Sequence, residues 1–179
     1  VALFPKPALD YSSTDKRLLN ISNMQKTHWT EPEIVQWSQY LLDSYAYWVK
    51  QELIDRSGTS LEQSERLFHS PCIVASHGME DDPVLNYGNQ VALNLWIMDW
   101  KQFTQTPSRL TAEPINREER ARMLEQAKTQ GYIADYRGVR ISSTGKRFQV
   151  DQAIIWNIQK PDGTALGQGA TFSTWRFLP

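Results

Sequence analysis

Few residues of this chain are placed to do nucleophilic or acid–base chemistry. Ser76 and His77 are adjacent in a short strand pattern, where neighbouring side chains point to opposite faces, so they make a poor catalytic dyad. Glu80, Asp81 and Asp82 follow in a turn and are most simply solvated. The sequence contains no nucleophile elbow, phosphate-binding loop, zinc-protease helix or dinucleotide fingerprint. These observations predict that the protein is not an enzyme.

The spacing of the histidines and of the one cysteine also disfavours a metal site. His28, His69 and His77 are the only histidines, and the interval from Cys72 to His77 matches no tetrahedral zinc pattern. We therefore predict no metal ligands. Cys72 is interpreted as a buried structural thiol, with a thioether to a bound group as the alternative.

Composition and charge exclude further classes of function. The chain of 179 residues has a net charge of −1, with 40% hydrophobic and 22% charged residues. No strong field would attract nucleic acid or an anionic membrane. The apolar runs are too short for a transmembrane helix. We therefore predict a soluble globular protein with one core, no nucleic-acid partner and no membrane span.

The number of cysteines indicates the cellular compartment, and the first residue indicates processing of the N-terminus. One cysteine rules out an internal disulfide, which suits a reducing compartment such as the cytoplasm or the plastid stroma. The chain begins at Val1 rather than Met, so we expect either a processed N-terminus or a sequence with a segment upstream, such as a transit sequence.

The best-defined elements lie between Asp135 and Trp175, where the pattern predicts three consecutive antiparallel strands. In the middle strand, alternate residues share one face, as expected for a sheet with one buried side. That face comprises Phe148, Val150, Gln152, Ile154, Trp156 and Ile158. Gly145 and Gly163 stand before and after this strand, where hairpin turns need a positive φ. The strands are expected to curl into a shallow cup.

Two segments precede the sheet. Residues 1–29 lack periodicity and are predicted to form an extended arm that either wraps its own domain or docks on a partner. Residues 30–69 are predicted to form a helical extension, in which Thr30 and Glu33 make a capping box and Pro32 fits the first turn. Its apolar stripe contains Trp37, Leu41, Tyr45 and Trp48. The stripe packs on the protein's own sheet or forms an interface with a protein partner or a second copy.

The remaining elements complete a domain over residues 70–176. Two short strands come first, followed by a helix capped by Asn89. A longer helix starts at a second capping box, formed by Asn116 and Glu119, and ends at Gly131. With the C-terminal strands, this order predicts an α+β fold: a five-stranded antiparallel sheet with helices on one face, plus the N-terminal helical extension.

Several of these segments resemble those of a known family. Residues 85–93 resemble the strand and Asn-capped helix that open PAS domains. More narrowly, residues 76–78, 106–114 and 138–148 resemble the PAS-like MEKHLA-domain family. Its members occur as small proteins in photosynthetic bacteria and at the C-terminus of class III homeodomain–leucine-zipper plant transcription factors. The stretch that names the family is absent, which indicates the bacterial or algal branch.

The resemblance implies a sensory or protein-interaction module and leaves the ligand open. In haem-binding PAS proteins the axial ligand usually comes from the helix side of the cleft, and the helix before Gly131 has no His or Cys. Met123 is its one weak candidate, so haem is disfavoured. The cysteine motif of light-sensing flavin-linked PAS domains does not occur either. A non-covalent flavin or another aromatic ligand stays open, and no cofactor is required.

The predicted ligand cleft combines aromatic walls with a few amides. Its candidate residues are Trp96, Phe103, Met123, Tyr136, Phe148, Gln152, Trp156, Gln168 and Phe172. The aromatic rings would line the cleft, and Gln152 and Gln168 would orient a ligand by hydrogen bonds. The alternative is a filled hydrophobic core whose amides are satisfied internally.

Two functions are compatible with these expectations. The first is a non-enzymatic regulatory or sensory module that acts through small-molecule or protein binding, with a ligand shifting the helix side of the fold. The second is a structural accessory subunit, docked on a larger assembly such as a photosynthetic one through its N-terminal arm and its PAS surface.

Overall fold

The computed structural model of the protein describes residues 28–113 and 117–179. The arm predicted for residues 1–29 lies outside the described residues, apart from His28 and Trp29. The capping box predicted at Asn116 also falls outside the described residues.

Helices come before the sheet in the chain and again between its second and third strands. The helices are α1 (Pro32–Val49), α2 (Ser60–Phe68), α3 (Gln90–Trp96), α4 (Trp100–Phe103) and α5 (Arg117–Gln130). Short 3-10 helices occupy His28–Thr30 and Ser108–Thr111. The strands are β1 (Ile73–His77), β2 (Leu85–Gly88), β3 (Tyr132–Ile141), β4 (Arg147–Gln159), β5 (Ala165–Phe172) and β6 (Thr174–Phe177). Among these described helices, none combines the length and the apolar character needed to cross a membrane.

The strands form one antiparallel sheet in the order β2-β1-β5-β4-β3. Strand β6 also pairs with β4 and continues β5 after a break at Ser173. The register is unbroken, because Ile154 pairs with Thr171 and Asp151 pairs with Thr174. The sheet is therefore five strands wide, as the sequence predicts, with its last strand interrupted. The predicted α+β class with an N-terminal helical extension is confirmed.

Several element ends follow local sequence signals. Asn89 caps α3 by accepting a hydrogen bond from the Ala92 N–H at 3.1 Å. Thr59 and Glu62 form a capping box at the start of α2. Gly131 follows α5 with a φ of +95°, a conformation that favours glycine.

The capping box predicted at Thr30 is wrong. Helix α1 begins at Pro32, and its N-cap position is Glu31, whose side chain makes no capping hydrogen bond. Thr30 belongs instead to the preceding 3-10 helix. Proline supplies the start here, because its fixed φ suits the first helical turn and its missing N–H has no partner to lose there.

The sheet buries a separate core on each face. The face that packs against α3, α4 and α5 is called the cleft face, and its core includes Ile73, Phe103, Phe148, Ile155 and Phe172. The opposite face is called the α1 face, and its core includes Leu41, Tyr45, Val74, Tyr87 and Trp156. The N-terminal extension therefore covers the side of the sheet that the other helices leave open.

The apolar stripe of α1 is used inside the protein. Leu41 and Tyr45 are only 0% and 2% exposed. The indole N–H of Trp37 donates to the Ser76 hydroxyl at 2.9 Å, and that of Trp48 donates to a β4 carbonyl oxygen at 3.0 Å. Of the two roles predicted for these four α1 residues, packing on the protein's own sheet is therefore the one seen, and a partner or dimer face stays a prediction for the partly exposed Trp37 and Trp48.

Strand β4 changes faces at Gln152. This residue has a φ of +55°, and a left-handed residue within a strand reverses the side to which the following side chains point. Phe148 before it and Ile155 after it both lie on the cleft face, although their spacing is odd. Trp156 consequently lies on the α1 face. The single face predicted from Phe148 onwards is wrong beyond Val150.

Candidate ligand cleft

A cavity of about 70 Å³ lies between the cleft face of the sheet and the helices that cover it. Its apolar floor comes from small and branched residues of the strands, namely Ala75, Val150, Ala153, Ile155 and Ala170. Its cover includes Trp96 of α3, Phe103 of α4 and Leu124 of α5. The polar residues with longer side chains in its lining are His77, Tyr136, Arg140 and Gln168. We call this cavity and its lining the cleft.

The structure brings most of the predicted cleft residues together. Those that line the cavity are Trp96, Phe103, Tyr136, Gln168 and Phe172. Phe148 lies next to the lining, with its ring centroid 5.3 Å from that of Trp96. Met123 is partly buried against the same core. Whether a ligand contacts any of them stays a prediction.

Two predicted cleft residues, Gln152 and Trp156, do not face the cavity. Trp156 is fully buried on the α1 face, where its ring centroid is 5.1 Å from that of Tyr45. Its indole N–H donates to the Leu41 backbone oxygen at 3.2 Å. Gln152 is exposed. The prediction that both residues line the cleft is wrong, because the positive φ of Gln152 breaks the alternation on which it depended.

Aromatic rings build the back wall of the cleft around Trp96. Its ring meets those of Phe103, Phe148 and Phe172 edge-on, with centroids 6.1, 5.3 and 6.2 Å away. Edge-on pairs are a preferred arrangement of aromatic rings and fix their orientation. Three of the four rings, those of Trp96, Phe103 and Phe172, line the cavity.

Gln168 connects the cleft to helix α5. Its amide N–H groups donate to the Leu124 backbone oxygen at 2.9 Å and to the Asn157 side-chain oxygen at 3.1 Å. Asn157 in turn donates to the Lys128 backbone oxygen at 3.0 Å. Two side-chain amides of the sheet therefore hold α5. Apolar contacts add to them, because Ala127 is fully buried and Met123 and Leu124 pack partly buried against the core of the cleft face.

Sequence reasoning missed Arg140, which lines the cavity and is 8% exposed. Arg140 pairs with Phe148 across β3 and β4, and residues directly opposite in an antiparallel ladder face the same side. Its guanidinium donates to the Tyr136 hydroxyl and, at 3.1 Å, to the Val139 backbone oxygen. The available signal was the even spacing of Tyr136, Gly138 and Arg140. An arginine in an alternating strand is easily assigned to solvent.

Neither a metal nor a thiol adduct fits the described residues. Within 28–113 and 117–179, no group of three or more His, Cys, Asp or Glu side chains could hold a metal ion. Cys72 is 3% exposed and belongs to the core of the α1 face. Its sulfur lies 3.0 Å from the Ser70 hydroxyl oxygen. A thioether to a ligand in the cleft would have to pass through the sheet, which leaves the interpretation of Cys72 as a structural thiol.

The size of the cavity limits what it can hold. At about 70 Å³ it has room for roughly five water molecules, since about 10–15 Å³ of such cavity volume holds one. Sites for drug-sized ligands take about 300–1,000 Å³. A flavin-sized ring system therefore does not fit unless lining side chains move, whereas a molecule of a few heavy atoms does.

The fold is similar to that of PAS domains. The PAS domain of a protein from Colwellia psychrerythraea matches with a TM-score of 0.56 at 10% identity, covering 65% of this chain and 94% of that chain. A light-oxygen-voltage domain, whose mechanism was probed with a flavin analogue, matches with a TM-score of 0.52 at 11% identity, covering 66% and 85%. At these identities the likeness shows the fold alone, and the fold is PAS-like.

Sequence comparison gives a narrower assignment. The Homeobox-leucine zipper protein HOX10 of Oryza sativa subsp. indica is 24% identical over 149 residues, which are 82% of this chain and 18% of that protein. HOX10 of Oryza sativa subsp. japonica matches to the same extent. The chain thus spans less than a fifth of the length of these curated relatives. The family model of the MEKHLA domain matches residues 35–177. Since this match covers most of the chain, the protein belongs to the MEKHLA-domain family.

Proposed function

We propose that the protein is a non-enzymatic sensory module in which a small molecule in the cleft changes the position of α5. The observation that carries this proposal is the double role of Gln168. Its side chain lines the cavity and also donates to the Leu124 backbone oxygen of α5 at 2.9 Å. A molecule that contacts this amide therefore acts on the helix directly.

The family supports a sensory role. PAS and MEKHLA domains are generally sensory rather than catalytic, and PAS domains commonly bind ligands or partners. In the rice homeobox-leucine zipper protein, the matching region is 18% of a longer chain, so there the domain is one part of a larger protein. A module that passes a signal to a partner or to an attached domain fits this organisation.

The mechanism would be a shift between two positions of α5. A ligand shifts such an equilibrium only as far as it binds one position better than the other. A ligand that accepts the Gln168 hydrogen bond would release the Leu124 oxygen, and a ligand that pushes on the Leu124 side chain would displace the same turn. A protein partner that contacts the exposed side of α5 would distinguish the two positions.

Amide NMR on the full chain tests the proposal. A panel of small carboxylates, amides, alcohols and aromatic compounds should include one that shifts the amide signals of both cleft residues and α5. Ala153→Leu, which puts a larger side chain into the cavity, should abolish these shifts. Ala134→Leu is the matched control, because Ala134 is exposed on β3. The proposal fails if no compound shifts cleft residues, or if cleft signals move while α5 signals do not.

The link through Gln168 makes a separate prediction. In Gln168→Leu the hydrogen bonds to α5 and to Asn157 are lost, while a similar side-chain volume is kept. Hydrogen exchange of the α5 amides should accelerate about tenfold, which corresponds to one net hydrogen bond. Exchange in the centre of β4 and β5 should stay slow. Equal acceleration throughout the sheet would mean that Gln168 stabilises the whole fold rather than α5.

A further inference from the structure

Arg140 brings a positive charge into the wall of the cleft. Arg140 is 8% exposed, and its guanidinium carbon lies 5.0 Å from the centroid of the Tyr136 ring. Burying a charged group is unfavourable unless it is paired and hydrogen-bonded. The groups around this guanidinium therefore indicate what the cleft is built to accept.

Among residues 28–113 and 117–179, the hydrogen-bond partners of Arg140 are neutral. They are the Tyr136 hydroxyl and the Val139 backbone oxygen. None of the ion pairs among the described residues includes Arg140. The carboxylate of Glu113, a neighbour of the Ala112 that bridges to Arg140, is paired with Arg147 instead. A guanidinium has five N–H donors, and two of its nitrogens account for these contacts.

Gly138 lets Tyr136 reach Arg140 along the same strand. A Cβ atom at Gly138 would overlap the Tyr136 hydroxyl oxygen, so the tyrosine can lie across this position only because no side chain is there. The resulting contact holds the guanidinium against the cavity before any ligand enters. A donor group that is fixed in advance loses little freedom on binding.

We propose that the cleft binds a small monocarboxylate with a short aliphatic tail, held by Arg140; this inference rests on the proposed sensory function. One cation without an ion pair in the described part of the chain matches one negative charge, and the planar fork of arginine suits the two oxygens of a carboxylate. The apolar floor at Ala75, Ala153 and Ile155 suits an aliphatic tail, and about 70 Å³ allows only a short one.

The experiment compares butyrate with its neutral isostere butyramide by amide NMR titration of the full chain. Butyrate should shift cleft residues and bind about tenfold tighter than butyramide or more, since hydrogen bonds to charged groups exceed neutral ones. Arg140→Gln should remove this preference. Arg137→Gln should keep it, because Arg137 is exposed on the same strand.

The possible outcomes distinguish the carboxylate assignment from the proposed sensory function. Equal binding of butyrate and butyramide, or a preference that survives Arg140→Gln, overturns the carboxylate assignment and leaves a neutral cleft ligand in place. Butyrate shifts that lie outside the cleft also overturn it. If Arg140→Gln does not fold, the test is the ratio of the butyramide and butyrate dissociation constants of the unmodified protein. A ratio near one overturns the carboxylate assignment. If no small molecule of any class shifts cleft residues, the proposed function itself fails.

Discussion

Single residues fix the backbone where no other type fits. At Gly167 on β5, an added Cβ atom would overlap the backbone oxygen of His77 on the neighbouring strand. At Asn89, the fully buried side chain caps α3 and also bonds three backbone groups before and within β1. Both residues therefore join β1 to its surroundings through backbone atoms, which cannot move without shifting the strand.

Gly167→Ala should be strongly destabilising. Because the overlapping atom is backbone rather than a mobile side chain, β1 and β5 must separate, and the free energy of unfolding should fall by about 3 kcal/mol. Gly78→Ala is the control, since its Cβ would meet only the end of the Glu80 side chain, and it should cost less than about 1 kcal/mol. Urea denaturation measures both. Equal effects would show that β1 tolerates the shift.

Asn89→Ala should also be costly. The change removes the cap of α3 and leaves the Val74 N–H and the Ser70 and Cys72 backbone oxygens without their side-chain partner. Each buried group left without a partner costs about 1–3 kcal/mol, so a loss of about 3 kcal/mol or more is expected.

Asn94→Ala is the matched control for this change. Asn94 lies in the same helix, is only partly buried and accepts one side-chain hydrogen bond from Gln90. It should cost less than about 1 kcal/mol in the same urea denaturation experiment. If the two alanine variants unfold at the same urea concentration, the network around Asn89 contributes no more than an ordinary helix residue.

At the scale of elements, α1 determines the chemistry of the face it covers. It buries two phenol groups against the sheet, Tyr45 on the helix itself and Tyr87 on β2. Burial raises the pKa of Tyr45, and the nearby Cys72 thiol adds to the rise. Burial raises the pKa of Tyr87 as well. Both groups are therefore kept neutral by the packing of α1.

These raised pKa values predict alkaline unfolding. A tyrosine with a higher pKa in the folded protein than in the unfolded chain stabilises the fold below pH 10.0, the usual pKa. This contribution is lost as the pH rises further, because the unfolded chain ionises first. The free energy of unfolding should fall above that pH, and Tyr87→Phe should reduce the slope by about 1 kcal/mol per pH unit.

Denaturation at a series of pH values measures this slope. Tyr47→Phe is the control, because Tyr47 is 53% exposed on the same helix, and its profile should follow that of the unmodified protein. A Tyr87→Phe profile that also follows the unmodified protein would show that Tyr87 ionises with ordinary ease in the folded state.

At the scale of the whole molecule, α1 and α2 belong to the same folding unit as the sheet. The sequence predicts a boundary between residues 69 and 70, and the core of the α1 face crosses it. Leu41 and Leu67 on one side contact the same cluster as Val74 and Trp156 on the other. The predicted boundary therefore separates segments along the sequence, but these segments share one hydrophobic core.

A fragment of residues 70–179 should not fold cooperatively. Without α1 and α2 it exposes the apolar side chains of the α1 face, whose burial contributes about 1.5–3 kcal/mol for each large residue. Near-ultraviolet circular dichroism should show no fixed aromatic packing, and Cys72 should react rapidly with a thiol reagent. In the full chain, the same thiol should react only as the protein unfolds. A cooperative unfolding transition in the fragment would contradict this expectation.

The fold was more predictable than the site, for physical reasons. Caps and turns can be predicted because few residue types satisfy those positions. Examples are the caps at Asn89 and Thr59 and the turns at Gly145 and Gly163. The apolar stripe of α1 shows that it must be covered, but the covering surface is set by tertiary packing.

Two features of the cleft had no comparable signal. A glutamine with a positive φ carries no compositional mark, so the change of face in β4 could not be foreseen. No local sequence pattern distinguishes a buried arginine from a solvated one, so the burial of Arg140 is not predictable from the sequence. The cleft therefore depends on exceptions to the rules that predict the sheet.

The left-handed residue in β4 has a consequence for how this sequence can vary in length. Relative to β3, Gln152 acts as one extra residue, and it exchanges the two faces along the second half of the strand. An extended conformation at Gln152 would turn Trp156 towards the cavity, where an indole exceeds the available volume. Deleting Gln152 would instead leave Ile155 and Trp156 on their present faces by plain alternation, so the core of β4 accepts a strand that is one residue shorter at this position.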